Sequence, residues 1–155
     1  MSSVTITVGE LLYDMTVHFT QTTEYGVSLE AVMSGQAVVP PAGIRIDVAF
    51  EGVSRGPKIK GTVRGVDYLY LRADGQNQVH IHGEIATDDG AKIAFFAEGV
   101  SVPEQGANPP KIREAWKGTL TTTSPAYAWV NQLSVWNQGT CTPQEQEIVF
   151  EGYVA

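Results

Sequence analysis

The sequence predicts an all-β protein: a single antiparallel β-barrel domain spanning residues 1–155, with about eight to nine strands and a proline-rich lid loop. Apolar and polar residues alternate with a period of two, which is typical of half-buried strands. Sixteen glycines and eight prolines divide the chain into short segments, and no segment keeps an apolar helical stripe over three turns. Strands spaced by roughly 8–12 residues favour a sandwich or a barrel, and closing the barrel removes exposed sheet edges.

The individual strands are predicted from this punctuation. The clearest covers residues 44–53, where every second residue is apolar and shares one face. Gly65 separates two further segments that we expect to pair with each other, and residues 124–127 form a turn or a short helical element. Residues 101–110 contain three prolines and form the predicted lid loop. The other predicted strands cover residues 11–19, 58–64, 67–72, 78–86, 92–100, 112–122, 133–139 and 145–153.

Composition restricts the partners that this chain can have. The net charge is −7, and the ten Lys and Arg residues are scattered, so nucleic acid is not expected because phosphate binding needs a basic stripe. No apolar run approaches the ~20 residues of a membrane span, and the first residues lack a signal-peptide pattern. We therefore expect no membrane association and a cytoplasmic location. Cys141 is the single cysteine and can form no internal disulfide.

Five motifs together resemble a known family. They are Gly56-Pro-Lys-Ile-Lys-Gly61, Gly65-Val-Asp-Tyr68, Arg72-Ala-Asp-Gly75, Thr87-Asp-Asp-Gly90 and Tyr127-Ala-Trp-Val-Asn131. In this order they resemble a bacterial family labelled domain of unknown function 3237, over residues 11–153. The resemblance implies a closed or nearly closed antiparallel barrel and a homo-oligomer, and it implies no shared activity. The family often has an Arg-Tyr pair where this chain has His82-Gly83, so a function of this segment would be special to the present branch.

The predicted hairpin around Thr87-Asp88-Asp89-Gly90 carries the main candidate catalytic residues. If Asp89-Gly90 forms a two-residue turn, residues whose numbers sum to 179 lie opposite each other. A three-residue loop would shift this register by one residue. The two-residue turn places on one face His80, His82, Glu84, Ile93, Phe95 and Ala97.

This mixed polar and apolar face is typical of a ligand cavity, although it also suits a solvent-facing strand. Glu84 can reach His82 from two positions along the strand, and the couple could act as general acid and base on a bound carbonyl compound. His80 completes the candidate catalytic set. The hypothesis predicts that His82→Ala and Glu84→Gln abolish turnover without unfolding the protein.

A metal site is the third interpretation of the hairpin face. A His-x-His pair offers two ligands and Glu84 offers a third. The glutamate follows too closely for the arrangement found in cupins, and the remaining histidine, His18, is far away in sequence. The sequence therefore favours a site without a metal, and we expect no cofactor.

Further candidate ligand-binding residues are Tyr68, Arg72, Trp116 and Lys117, together with Phe95 from the hairpin. Arg72 beside tyrosines suits a carboxylate or enolate, but pairing with Asp74 or Asp88 to fasten a turn is the favoured alternative. Trp116 and Lys117 follow the proline-rich loop and could line the entry and meet an anionic ligand.

These observations predict a barrel that binds a small organic molecule. The first function hypothesis is a cofactor-free isomerase, cyclase or lyase that acts on a carbonyl or enolisable compound by His-Glu acid–base chemistry. The alternatives are a non-catalytic ligand-binding protein with the same cavity, and a structural oligomeric barrel.

Overall fold

The computed structural model describes residues 3–155 and shows a closed antiparallel barrel, as predicted. Neighbouring strands pair in chain order, and the last strand pairs with the first. The strands are β1 (Leu11–Glu24), β2 (Ile44–Pro57), β3 (Lys60–Leu71), β4 (Asn77–Thr87), β5 (Lys92–Pro103), β6 (Ile112–Thr121), β7 (Ser134–Thr142) and β8 (Glu147–Val154). Closure gives each of these strands a hydrogen-bonded neighbour on both sides.

Helices are short and lie at the two ends of the barrel. Helix α1 (Leu29–Met33) follows β1 and is capped by the hydroxyl of Ser28, which accepts a hydrogen bond from the Ala31 amide. A 3₁₀ helix (Pro125–Gln132) closes the opposite end and inserts Val130, which is fully buried. A second 3₁₀ helix (Pro143–Glu145) joins β7 to β8. Within residues 3–155, every helix is too short or too polar to cross a membrane.

The predicted break at Gly65 is wrong, because residues 60–64 and 67–71 of the two predicted strands belong to the single strand β3. Gly65 stays in the ladder, opposite Phe50 of β2 and Gly83 of β4. A side chain at Gly65 would collide with the Phe50 ring and with the backbone of β4. The glycine therefore provides space inside the barrel, where the sequence suggested a turn.

The predicted register of the β4–β5 hairpin is also wrong. Ala86 lies opposite Lys92 and His82 opposite Phe96, so opposed residues sum to 178. The Gly90 amide donates to the Thr87 carbonyl and Gly90 has a φ of +94°, so residues 88–90 form a three-residue loop that ends in a left-handed residue. This three-residue loop shifts β5 by one position. His82 therefore shares its face with Phe96 and not with Phe95.

Alternation along most of the strands divides the residues between the interior and the outer surface. On β2, the predicted apolar face is buried as expected. The core is continuous towards the closed end, where Leu12, Met15, Ile59, Ile85 and Ile93 are almost completely buried. Towards the α1 end, the interior side chains leave an open space.

Candidate functional site

The open space is a cavity of about 510 Å³ inside the barrel, at the end that carries α1. Leu29, Glu30 and Met33 of the α1 segment contribute to its rim. Most of the wall is apolar, and its aromatic members are Phe19, Phe50, Phe95, Trp116 and Phe150. Trp116 packs edge-on against Phe150 with 4.8 Å between the ring centroids. A cavity of this size with a mainly apolar wall is typical of a small-molecule site.

Asp67 is one of two carboxyl groups with a strongly raised pKa among the four that line this cavity. It lies on β3 in phase with the inward-facing Leu69 and Leu71, and its Oδ1 accepts a hydrogen bond of 3.0 Å from the His80 amide. Burial raises the pKa of Asp67 to about 7, although the bond from the His80 amide opposes this shift. The negative charge of Asp47 raises this pKa further. Near neutral pH, the carboxyl group of Asp67 can therefore either hold or release a proton.

Glu114 is the second cavity carboxyl group with a strongly raised pKa. It lies on β6, two residues before Trp116, and only 6% of it is exposed. Burial raises the pKa of Glu114 to about 8, and the negative charge of Asp67 raises it further. The Trp116 indole N–H donates to Glu114 Oε2 at 3.4 Å, and this hydrogen bond lowers the pKa of Glu114. The two carboxyl groups thus act on each other inside one apolar compartment.

The charge of the cavity wall has one sign. Glu24 and Glu30 join Asp67 and Glu114 among the lining residues, and none of the described residues that line the cavity is Lys, Arg or His. The Cys141 thiol also lines the wall, and burial together with the negative charges of Glu114 and Asp67 raises its pKa to about 12. Cys141 is therefore a thiol and not a nucleophilic thiolate at neutral pH.

Two predicted ligand-binding residues, Phe95 and Trp116, line the cavity. Three others lie elsewhere. Tyr68 is on the outer face of β3, and the exposed Arg72 bonds Asp74 at 2.6 Å, the pairing expected if it fastens a turn. Lys117 is exposed on the outer face of β6, because it is the neighbour of the inward-facing Trp116 and strand side chains alternate.

The predicted catalytic residues lie together on the outer surface of β4. His80 and His82 are exposed and stack on each other, with 5.2 Å between their ring centroids. Glu84 does not pair with His82. It forms an ion pair with Arg64 at 2.5 Å, because Arg64 of β3 lies directly opposite Glu84 of β4 and both side chains are on the outer face of the sheet. The inward positions of β4 are occupied instead by Val79, Ile81 and Ile85. The structure therefore separates these three residues from the cavity, and their catalytic role stays a prediction.

The predicted lid loop connects β5 and β6 at the cavity end. Ser101, the first residue of the predicted loop, belongs to β5 and lines the cavity together with Ile112 of β6, but residues 102–111 do not. The cover over the rim comes from the α1 segment, which Glu24 holds by accepting a hydrogen bond of 2.6 Å from the Leu29 amide. The sequence did not indicate this cover, since only five residues form the helix.

Two motif segments support the closed end and lie outside the cavity wall. Tyr127 donates to both oxygens of Asp89 at 2.9 Å, which fixes the 3₁₀ helix to the β4–β5 turn. The Asn131 side-chain amide accepts a hydrogen bond from the Thr122 N–H and donates one to the Thr122 carbonyl, each at 2.8 Å. Asp89, Tyr127 and Asn131 thus hold the barrel end in place. The motif residue that does line the cavity is Asp67.

The sequence contained a signal for both missed carboxyl groups. Asp67 is in phase with Leu69 and Leu71, and Glu114 is in phase with Trp116 and Leu120. A carboxylate on the apolar phase of a strand is costly unless it serves a purpose. Residue type favours the histidines as catalytic candidates, whereas the phase of each strand places Asp67 and Glu114 inside the barrel.

Comparison with known proteins places this barrel in a family. The family model described as Protein of unknown function (DUF3237) matches residues 10–155. The chain belongs to the DUF3237 family. A search of curated proteins gave no match for this DUF3237 protein.

Solved structures share the fold of this DUF3237 protein. A beta-barrel-like protein from Acinetobacter baumannii AYE has a TM-score of 0.77 at 18% identity, with 99% of this chain and 98% of that chain covered. A protein of unknown function from Clostridium acetobutylicum ATCC 824 has a TM-score of 0.73 at 20% identity, with coverages of 94% and 96%. An enzyme from Penicillium herquei has a TM-score of 0.60 at 22% identity, with coverages of 98% and 99%. These likenesses establish a shared barrel architecture.

Proposed function

We propose that this DUF3237 protein binds a small uncharged organic molecule in its barrel cavity and transfers protons to and from it with Asp67 and Glu114. The observation that carries the proposal is the pair of carboxyl groups with pKa values of about 7 and about 8 in one apolar compartment. General acid–base catalysis is most efficient when the pKa of the catalytic group lies near the working pH. Two interacting carboxyl groups that titrate in this range can supply one acid and one base.

The reaction class follows from these groups. A carboxylate can remove a proton from an enolisable carbon while a neighbouring carboxylic acid donates a hydrogen bond or a proton to the developing oxyanion. Isomerisation, cyclisation and elimination need only such transfers. The Penicillium herquei neighbour is an enzyme, which supports the view that this fold can host a reaction, although only by analogy.

The substrate class follows from the wall. Aromatic and aliphatic side chains suit a flat or branched apolar body, and four acidic residues without a basic partner among the described lining residues disfavour an anion. This replaces the anionic ligand expected near Arg72 and Lys117, since both side chains are exposed on the outside of the barrel.

The proton-transfer step can be tested with a neutral probe, 5-nitro-1,2-benzisoxazole. A base removes the proton from its C3 carbon, the ring N–O bond breaks, and the product is the coloured 2-cyano-4-nitrophenolate. We expect a rate above that of free carboxylate in buffer, rising with pH through about 7–8 as the two carboxyl groups lose their protons. Asp67→Asn and Glu114→Gln should each lower kcat/KM at least about tenfold.

The matched controls are the outer residues His82 and Glu84. His82→Ala and Glu84→Gln should leave the rate unchanged, because both side chains face away from the cavity. A rate that survives in the Asp67→Asn/Glu114→Gln double variant, or one that disappears in the two outer variants, would contradict the proposal. The second result would restore the His-Glu hypothesis.

The non-catalytic alternative rests on the same cavity. A pure binding protein would be stabilised by an apolar ligand and would show no carboxyl-dependent turnover of the probe. Thermal stabilisation by N-phenyl-1-naphthylamine without turnover would therefore favour the binding protein over the enzyme.

A further inference from the structure

We propose that His80 and His82 form a two-nitrogen chelate for a divalent transition-metal ion of the Zn²⁺, Ni²⁺ and Cu²⁺ class, on the outer surface of the barrel. The two residues are on β4, separated by one residue, and both are exposed on the same face. Their Nε2 atoms are 3.2 Å apart. This surface lies outside the cavity wall, so the inference is independent of the proposed function.

The separation of the two nitrogens matches a shared metal ligand sphere. Two imidazole nitrogens at ~2.0–2.1 Å from one ion are about 2.9 Å apart at a right angle and about 3.3–3.4 Å apart at a tetrahedral angle. The observed 3.2 Å falls between these values. An ion would replace the present Nε2–Nε2 hydrogen bond, with the two rings turned so that both lone pairs converge on it. Imidazole is a ligand that suits zinc, copper and nickel.

Neighbouring strands hold the two rings in place. Phe96 of β5 contacts both rings edge-on, at 5.3 Å from His80 and 5.2 Å from His82 between centroids. Tyr68 of β3 contacts both from the other side, at 6.5 Å and 5.9 Å. The rings are nearly parallel, with 7° between their planes. This packing fixes the side-chain torsions before a metal arrives and so lowers the entropic cost of chelation.

The surroundings are open and include a carboxylate. Glu98 lies opposite His80 in the strand register on the same outer face, and the chain carries a net charge of −7. Among residues 3–155, no group of three or more His, Cys, Asp or Glu residues is arranged to hold a metal. The pair would thus supply two ligands, and water or a donor from another molecule would occupy the other positions.

The test uses the tag-free full chain titrated with Ni²⁺ by isothermal titration calorimetry. We expect one site per chain, with a Kd that rises at least about tenfold in His80→Ala and in His82→Ala. His18→Ala is the matched control, because His18 is also exposed on the barrel surface but pairs with Glu147 at 2.8 Å. Its Ni²⁺ affinity should equal that of the unmodified chain.

A second measurement guards against an effect on folding. Zn²⁺ should raise the Tm of the unmodified chain and of His18→Ala, and should leave the Tm of the His80→Gln/His82→Gln double variant unchanged. Circular dichroism should give the same spectrum for all variants, since both rings are exposed. Absence of Ni²⁺ binding, or equal Ni²⁺ affinity in the double variant, would overturn the proposal.

Discussion

At the scale of single residues, Asp67 and Glu114 are the two carboxyl groups whose pKa values are strongly raised. Each is a carboxyl group on the apolar phase of its strand, and each is more easily protonated than an ordinary carboxyl group because of burial. A buried acid without a basic partner reduces stability when it ionises. Their presence in the wall therefore indicates a role other than support of the fold.

Stability should fall as pH rises because of these two residues. Their pKa values are about 7 and about 8 in the folded chain, above the ordinary values of 3.8 and 4.5, so the folded state binds more protons between these limits. The stabilisation is complete below about pH 4 and is lost as pH rises through about 7–8. From pH 5 to pH 9, we expect the free energy of unfolding to drop by an amount on the order of a few kcal/mol.

Urea denaturation at several pH values measures this dependence. Asp67→Asn and Glu114→Gln should each flatten the profile, because neither substitute can ionise. The exposed Glu98→Gln is the control and should leave the slope unchanged. If all three variants follow the profile of the unmodified chain, burial does not raise the pKa values of Asp67 and Glu114 in the folded state.

At the scale of elements, the β4–β5 hairpin shows how one turn residue determines a site. The alternation predicted both strands, and the Thr-Asp-Asp-Gly turn predicted their connection, but the same four residues allow a two-residue and a three-residue loop. The structure has the three-residue loop, and Gly90 takes the left-handed conformation. This difference of one residue moves Phe95 to the interior while both histidines stay outside.

A pair of inward-facing glycines is the second feature of this scale. Gly65 and Gly83 lie opposite each other on β3 and β4 and leave room for the rings of Phe50 and Phe95, whose centroids are 6.5 Å apart. A Cβ at Gly83 would overlap the Phe95 ring. The sequence shows the glycines but not which rings cover them, since those contacts depend on the register between strands.

Gly83→Ala should destabilise the chain by about 1–3 kcal/mol through overpacking of the interior. Urea denaturation measures the change in the free energy of unfolding. Gln78→Ala is the control on the same strand, because Gln78 is exposed and its loss should change this free energy by less than about 0.5 kcal/mol. Equal stability of Gly83→Ala and the unmodified chain would show that Phe95 does not rest on Gly83.

At the scale of the whole molecule, closure of the barrel is the property that the sequence predicts best. Short alternating strands with glycine and proline between them leave few other ways to bury an apolar face. The cavity was harder to foresee, because its volume is the space left when all inward side chains are placed. The position of α1 over the rim depends on the bond from the Leu29 amide to Glu24 and on the packing of Leu29 and Val32 against the buried residues of β2 and β3, contacts that no local pattern reveals.

The distribution of charge on this scale gives the central claim its most direct test. The interior carries acidic groups and no basic group among the described lining residues, so the cavity should accept neutral apolar molecules and reject anions of the same shape. N-phenyl-1-naphthylamine and 8-anilinonaphthalene-1-sulfonate share one skeleton and differ by a sulfonate. Both become fluorescent in apolar surroundings, so one method measures both affinities.

The decisive measurement is the ratio of these two affinities at pH 8, in the unmodified chain and in Asp67→Asn/Glu114→Gln. We expect one bound N-phenyl-1-naphthylamine per chain, binding of the sulfonate that is at least about tenfold weaker, and a smaller difference in the double variant, because the repelling carboxylates are gone. His80→Ala/His82→Ala should behave like the unmodified chain. Equal affinities for both probes, or a ratio that changes only in the histidine variant, would contradict a functional site inside the barrel.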